Sequence, residues 1–353
     1  MLADALDPHP VELVAEESLL ARRPDDAPGI VLRAEMDALP LEEETGVAFA
    51  CRSGAMHACG HDVHMAALVA AYRVLEVTSK EAGVAFSALF QHSEEAYPSG
   101  GKEVLEAGVL REANAVIASH VHPDVPWGAV TADPGPINAS SDFFRIVVRG
   151  AGGHAAYPHR ARDAIAALCQ IVGSLQQITS RSIDPLHGSV VSIGFIKGGS
   201  THNALPEHAE AGGTFRALWA EDRTRIRSLV EEVAGGIAAA FGCGATVEIT
   251  SGEPATDNDE RLALAAREEL VAFGLDVAEP LRSCGSDDFG YFSQALPSLM
   301  SFVGVGGALA EEVPLHHPRF LPPDEAVEAV ARAQLATFGA AARVFAHRQG
   351  ARG

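Results

Sequence analysis

The nine residues Met56-His57-Ala58-Cys59-Gly60-His61-Asp62-Val63-His64 carry a thiol, three imidazoles and a carboxylate. Thiolate and imidazole are the ligands that zinc and its first-row neighbours prefer, whereas calcium and magnesium take oxygen. Cys59 and His61 stand two apart, so in an extended segment their side chains share one face. Gly60 between them allows a close backbone turn. A lone Cys or His reads as a buried thiol or a surface imidazole; this density reads as a metal site. The stretch runs into an Ala-rich apolar segment, Met65 to Leu75, that predicts a helix.

Further candidate groups stand at the ends of predicted strands. Gly29 to Glu35 reads as a buried strand followed by Met36-Asp37-Ala38-Leu39-Pro40, and strand ends are where open α/β sheets place their sites. Gly83 to Phe90 reads as a strand ending in Gln91-His92-Ser93-Glu94-Glu95. Adjacent glutamates are usually solvated, but in an extended segment they point opposite ways, which suits one ligand and one general base. The strand Ala113 to Ser119 ends in His120-Val121-His122-Pro123. Pro314-Leu315-His316-His317-Pro318, before the last helix, is placed to close a metal site from far along the chain.

The elements that position these groups alternate strand and helix up to Thr131, with a short helix over Gly100 to Gly108 and a strand from Gly128. This implies a mostly parallel sheet flanked by helices. Residues 1–28 are acidic and weakly patterned, ending in Pro24-Asp25-Asp26-Ala27-Pro28. From Asp142 the rhythm changes. Strands at 143–149, 188–197, 208–218 and 245–250, with helices at 162–180 and 222–241, give the ferredoxin-like order βαββαβ. The expected fold is thus α/β, with a catalytic domain over 1–140 and 253–353 and an inserted lid over 141–252. Pro254 to Asp259 reads as the return linker. Helices follow at 260–273, 287–295 and 324–346, with a strand at 298–303. Gly304-Val305-Gly306-Gly307 lacks phosphate-loop spacing and reads as a mobile loop.

Composition narrows the function. A net charge of -21 argues against nucleic acid and anionic membranes as partners. The N-terminus lacks the pattern of a signal peptide, and no apolar run is long enough to span a bilayer. Five cysteines, odd in number and sparse, argue against a disulfide framework. The expectation is a soluble, cytoplasmic protein.

The motifs Arg33-Ala34-Glu35-Met36-Asp37-Ala38-Leu39-Pro40, Met56-His57-Ala58-Cys59-Gly60-His61-Asp62, Glu94-Glu95, His120, Gly152-Gly153-His154-Ala155-Ala156-Tyr157-Pro158 and Leu315-His316-His317-Pro318 occur in order over roughly residues 29–340. They resemble the hippurate hydrolase and indole-acetyl-amino-acid hydrolase branch of the aminoacylase/carboxypeptidase G superfamily. The resemblance implies a di-metal amidohydrolase of N-acyl amino acids whose ferredoxin-like lid also forms a homodimer. It implies Cys59, His61, Glu95, His120 and His316 as ligands of two divalent ions, zinc or manganese foremost, with cobalt and nickel also compatible. It implies Glu94 as the general acid/base assisting attack by metal-bound hydroxide, and Asp37 as a carboxylate that orients a ligand. His154 would reach the partner subunit's site to stabilise the oxyanion, while Asn203 and Arg216 would hold the substrate carboxylate. His64, His122, His159 and His317 are expected to be supporting or surface residues.

Four features depart from the family pattern. Glu35 stands where Asp is usual, His92 replaces a Pro, Tyr97-Pro98 interrupts glycines, and His317 replaces a Ser or Asn. The family also leads one to expect a helix and strand with a His-x-x-Pro-Glu motif ahead of Gly29, so either the start is mis-assigned or the chain is truncated. The competing readings are an aminopeptidase or dipeptidase on the same scaffold, against which the Cys-Gly-His motif argues, and a truncated non-catalytic metal-binding paralogue, against which Glu94 argues.

Overall fold

The computed structural model of the protein describes residues 2–7, 10–22, 29–309 and 312–345. The end of the acidic N-terminal stretch, 24–28, and the expected last helical residue, Ala346, lie outside the described residues. The chain divides into two compact units: Met1–Ile137 with Asp257–Arg282 and Asp288–Gly353, and Asn138–Thr256 with Ser283–Asp287.

In chain order the elements are α1 (Leu2–Ala5), β1 (Val11–Val14), β2 (Ser18–Arg22), β3 (Ile30–Glu35), α2 (His61–Ala82), β4 (Phe86–Gln91), α3 (Gly100–Glu106), β5 (Ala115–Pro126) and β6 (Val130–Thr131). Then come β7 (Gly135–Asn138), β8 (Ser140–Arg149), β9 (Gly153–His154), α4 (Ala164–Leu175), α5 (Ile178–Arg181), β10 (Ser189–Gly198), β11 (Ala204–Leu205), β12 (His208–Ala217), α6 (Ala220–Ala240) and β13 (Gly244–Ser251). The chain closes with β14 (Thr256–Asn258), α7 (Glu260–Ala272), α8 (Phe289–Ala295), β15 (Ser298–Gly306) and α9 (Glu325–Phe345).

The larger unit is built on a mixed sheet in the order β1-β2-β4-β3-β5-β15-β6. Its central ladders are parallel, as the strand–helix alternation requires. Its edges are antiparallel. The β1–β2 hairpin was not legible in the sequence because its turn places Ala15 and Glu16 at φ of 45° and 62°. Such turns normally advertise themselves with Asn or Gly. One face of the sheet, including Leu32, Ala34 and Phe90, packs under α2, α7 and α9 in the main apolar core. The other face, including Val31, Leu89 and Met300, packs on Val104 of α3 and Phe289 and Phe292 of α8. A sheet covered on both faces buries its central strands on both sides, and β3 and β4 are buried at every position.

Several boundaries differ from the sequence reading, each for a local reason. Helix α2 begins at His61, not Met65, so His61 is helical rather than extended; Gly60, at φ 82°, makes the turn into it. Strand β5 continues to Pro126, which puts His120 inside the strand. Gly304 and Gly306 are strand residues, not a mobile loop: a Cβ on Gly304 would meet the Pro126 carbonyl oxygen at 1.8 Å, and one on Gly306 the Pro123 carbonyl oxygen at 2.2 Å. The turn begins only at Gly307, whose φ is 81°.

The smaller unit forms an antiparallel sheet in the order β10-β12-β8-β13. Its strands follow the expected βαββαβ succession, and α4 and α6 supply one apolar core. The single helix expected over 162–180 is split into α4 and α5. Asp163 caps α4 by accepting from the amides of Ile165 and Ala166. The short pair β9–β11, unsuspected from the sequence, sets His154 opposite Ala204.

Candidate functional site

The C-terminal ends of the parallel strands of the larger unit bring the chemical groups together. The donor atoms of Cys59, His61 and His120 lie within 4.8 Å of one another, as do those of His61, Glu94 and Glu95 and those of Cys59, Glu95 and His316. These triplets overlap, so one cluster holds six residues from four separate stretches of chain. Every ligand expected from the resemblance falls inside it, together with Glu94.

The backbone makes this convergence possible. Glu94 and Glu95 follow β4 in an irregular loop, where Ser93 takes a left-handed φ of 49°. The two carboxylates therefore reach the same cluster instead of pointing opposite ways. His316 is also left-handed, at φ 63°, and its amide donates to the carbonyl of Ala58 at 2.9 Å, tying its loop to the Cys59 stretch. Non-glycine residues in this region are strained, and such strain concentrates at functional sites.

Each imidazole is oriented from behind. Nδ1 of His61 donates to the carbonyl oxygen of Asp37 at 3.0 Å, which leaves Nε2 facing the cluster, where it is buried and makes no hydrogen bond. Nδ1 of His120 donates to the carbonyl of Val121 at 2.7 Å, and Nε2 approaches Sγ of Cys59 at 3.5 Å. Oδ2 of Asp37 accepts the amide of Glu95 at 2.9 Å, so Asp37 touches both a histidine and a glutamate of the cluster. Nε2 of His316 lies 3.1 Å from Oε1 of Glu95, yet that buried oxygen makes no hydrogen bond. An imidazole nitrogen and a carboxylate oxygen this close, beside a thiol, suit ligands of a common cation.

The electrostatics point the same way. Burial alone would depress the His61 pKa, but the hydrogen bond to Asp37 and the carboxylates of Glu35, Asp37 and Glu95 raise it to about 9. Burial would raise the Glu95 carboxyl, but His316 and His61 hold it below its ordinary value. The pocket is therefore built to surround positive charge. Buried nitrogen and oxygen atoms without hydrogen-bond partners, beside a thiol, fit zinc and its first-row neighbours.

His64, expected to be a supporting residue, is fully buried. The cluster also rests on residues that the sequence reading passed over. Arg33 is buried and pairs with Glu35 and Asp288, and Glu35 meets Nδ1 of His64 at 2.9 Å. Burial raises the Glu35 carboxyl, but Arg33 and His64 carry it well below its ordinary value. A full charge inside the apolar run Ile30-Val31-Leu32-Arg33-Ala34 was the available signal, because a buried cation needs a counter-charge. His92 bonds Ser18 Oγ through Nδ1 at 2.7 Å and Glu103 through Nε2 at 2.9 Å.

In the smaller unit, His154 and Asn203 are neighbours. The amide of Ala155 donates to the Asn203 carbonyl at 3.0 Å, and both side chains are exposed. Arg216 stands on β12, and its Nη1 donates to the Cys284 carbonyl at 3.1 Å and to Ser286 Oγ at 3.4 Å. Of the other histidines, His159 is exposed and His317 and His122 are half-buried. Burial and the neighbouring His120 push the His122 pKa down to about 4.

A parallel-cored sheet with a thiol, imidazole and carboxylate cluster at its strand ends defines a metal-dependent hydrolase. Residues 31–338 match peptidase family M20/M25/M40, and the chain belongs to that family of metal-dependent amide hydrolases. It is 37% identical over 304 residues to the N-acetylcysteine deacetylase of Bacillus subtilis (strain 168), covering 86% of this chain and 79% of that one. It is 36% identical over 311 residues to the N-acetyldiaminopimelate deacetylase of Bacillus pumilus (strain SAFR-032), covering 87% and 81%. The crystal structure of the Bacillus subtilis YXEP protein, described as a dinuclear metal-binding peptidase from the M20 family, superposes with a TM-score of 0.82 at 31% identity, covering 96% and 90%.

Proposed function

We propose that the protein is a two-metal amidohydrolase that cleaves N-acyl amino acids into a carboxylic acid and a free amino acid. The observation that carries this reading is the convergence of Cys59, His61, Glu95, His120 and His316 around one pocket with Glu94 beside them. The names of the relatives support a small acyl group such as acetyl, within the broader class that includes aryl-acyl conjugates.

Those five residues would hold two divalent cations, which supply Lewis-acid polarisation of the scissile carbonyl and an acidified water. Glu94 holds and moves the proton. Its Oε2 lies 3.9 Å from Nε2 of His61, beside the ligand set, where it takes the proton of the attacking water and returns it to the departing nitrogen. Asp37 fixes His61 and Glu95 in place. Arg216, a planar donor fork, is assigned to the free carboxylate of the substrate, with Asn203 as a second polar contact. His154 is assigned to the developing oxyanion.

The test is to assay the protein loaded with zinc or manganese against N-acetyl, N-benzoyl and N-indoleacetyl amino acids, with unblocked dipeptides as the contrast. Release of free amino acid from the acylated panel, abolished in Glu94→Gln, is expected. Turnover of the dipeptides alone, or none with any substrate, overturns the reading.

A further inference from the structure

We propose that Asp288 is the positioning residue for the loop that carries Glu94 and Glu95. Its carboxylate is fully buried and accepts from four donors. Oδ1 takes Nη2 of Arg33 at 2.6 Å. Oδ2 takes Nε2 of Gln91 at 2.6 Å, Oγ of Ser99 at 2.8 Å and the amide of Gly101 at 2.7 Å. Gln91 is the last residue of β4, immediately before the loop, and Ser99 and Gly101 lie where the loop enters α3. One oxygen thus holds both stems of the loop.

The stems are shaped for this contact. A Cβ on Gly101 would lie 2.9 Å from Oδ2 of Asp288, and one on Gly100 only 1.8 Å from the His92 carbonyl oxygen. Bare backbone is needed at both positions. The amide of Gly100 closes the loop onto the carbonyl of Ser93 at 3.0 Å, the left-handed residue that precedes Glu94. Arg33 braces the same stem from the side by donating from Nε to Oε1 of Gln91 at 2.9 Å. A carboxylate oxygen of Asp288 also lies within 4.8 Å of one of Glu94, but the hydrogen bonds named above go to Arg33 and the two stems, so Asp288 positions Glu94 through the loop.

A carboxylate taking four hydrogen bonds in a buried site is worth more as a fixed acceptor than as a charge partner. Replacing it by an amide puts a donor against donors on one side or the other. Arg33 keeps Glu35 as a partner in Asp288→Asn, so no buried cation is stranded. The variant is therefore expected to fold with a loosened loop.

The inference rests on the assignment of Glu94 and Glu95 made above, and its test separates the two. Hydrogen exchange is measured on metal-free wild type and Asp288→Asn, followed by Co(II) titration and then hydrolysis at saturating Co(II). Asp288→Asn should lose protection over residues 92–101 while β15 and α9 stay protected. The Cys59 thiolate-to-cobalt charge-transfer band should still form, but half-saturation should need about 10–100-fold more Co(II). At saturation kcat should remain lowered by about tenfold or more with KM within about threefold, because a misplaced base costs rate and not binding. Unchanged exchange and cobalt affinity in a folded Asp288→Asn overturns the proposal, as does wild-type kcat once cobalt is saturating. If Asp288→Asn does not fold, Ser99→Ala removes one donor and should show the same pattern at smaller amplitude; absence of the pattern there also overturns it. If the wild type hydrolyses nothing, the functional reading fails, while exchange and titration still decide the role of Asp288.

Discussion

Nε2 of His64 accepts the backbone amide of Val121 at 2.9 Å, so a fully buried imidazole supports the strand at the residue next to His120. Its Nδ1 donates to Glu35 at 2.9 Å. Both nitrogens are spent in the neutral ring, and a second proton would meet the Val121 N–H head-on. Burial, with the charge of His120 adding to it, pushes the His64 pKa down to about 3. The unfolded chain binds this proton below about 6.5 and the folded chain does not. Stability should therefore fall as pH drops from about 6.5 towards 3, by up to about 1.4 kcal/mol per pH unit for this one group. Urea unfolding in EDTA between pH 7 and 4.5 measures the slope. His64→Gln, which lacks a titrating ring, should flatten it, and an equal slope in both proteins would refute the account.

His61 gives the opposite limb. In the metal-free protein its pKa stands at about 9, above the unfolded value, so its contribution is complete below about 6.5 and lost as pH rises through 9. A metal at Nε2 must displace that proton. Binding of Zn(II) at pH 7.5 should release about one proton from His61 on top of any from the Cys59 thiol, seen as a buffer-dependent enthalpy in calorimetry, and affinity should rise with pH up to about 9. A buffer-independent enthalpy would show that His61 does not give up a proton.

The parts of the fold legible in the sequence were those carried by periodic apolar pattern: β3, β4, the first half of β5, and the βαββαβ order of the smaller unit. Cys59 and His61 were legible because thiols and imidazoles are rare enough to stand out when adjacent. What was not legible was whatever depended on backbone placement. The β1–β2 hairpin turns on Ala15 and Glu16 in left-handed conformations that neither residue announces. The glycines of β15 looked like a loop because their reason, the close approach of the Pro126 and Pro123 carbonyls, lies far away in the chain. Asp288 carried no signal in the sequence because its four donors are scattered from Arg33 to Gly101.

Glu94 and Glu95 share a loop but should separate cleanly by function. Glu95 lies in a triplet with Cys59 and His316, and Asp37 accepts its amide. Glu95→Gln should lose metal, read by elemental analysis after dialysis. Glu94→Gln should keep its metal and lose turnover by about 10²–10⁴-fold, the usual worth of a general acid/base. Equal metal loss in both variants, with activity in proportion to metal, would remove the distinction.

Gly60 is required twice over. Its φ is 82°, and a Cβ there would sit 2.4 Å from Cγ2 of Val121. Gly60→Ala should shift Cys59 and His61 apart and weaken metal binding by about 10–100-fold, a loss typical of disturbed ligand support. Adding Val121→Ala removes the clash but not the left-handed strain, so affinity should return only in part. Full recovery in the double variant would mean that the φ angle carries no cost.

The last prediction concerns His154, exposed on the β9–β11 pair and far in sequence from every cluster residue. The sheet of the smaller unit ends in two open edges, β10 and β13, and an open edge pairs readily with a second copy about a two-fold axis. Our proposal is a homodimer in which His154 completes the active site of the partner subunit. Mixing His154→Ala and Glu94→Gln, each inactive alone, and reassembling them from denaturant tests it. Random pairing makes half of the dimers mixed, and each mixed dimer holds one site with both residues intact. About a quarter of wild-type activity should then return. Mixed dimers shown to form by mass spectrometry, yet without activity, would place His154 within its own chain's site.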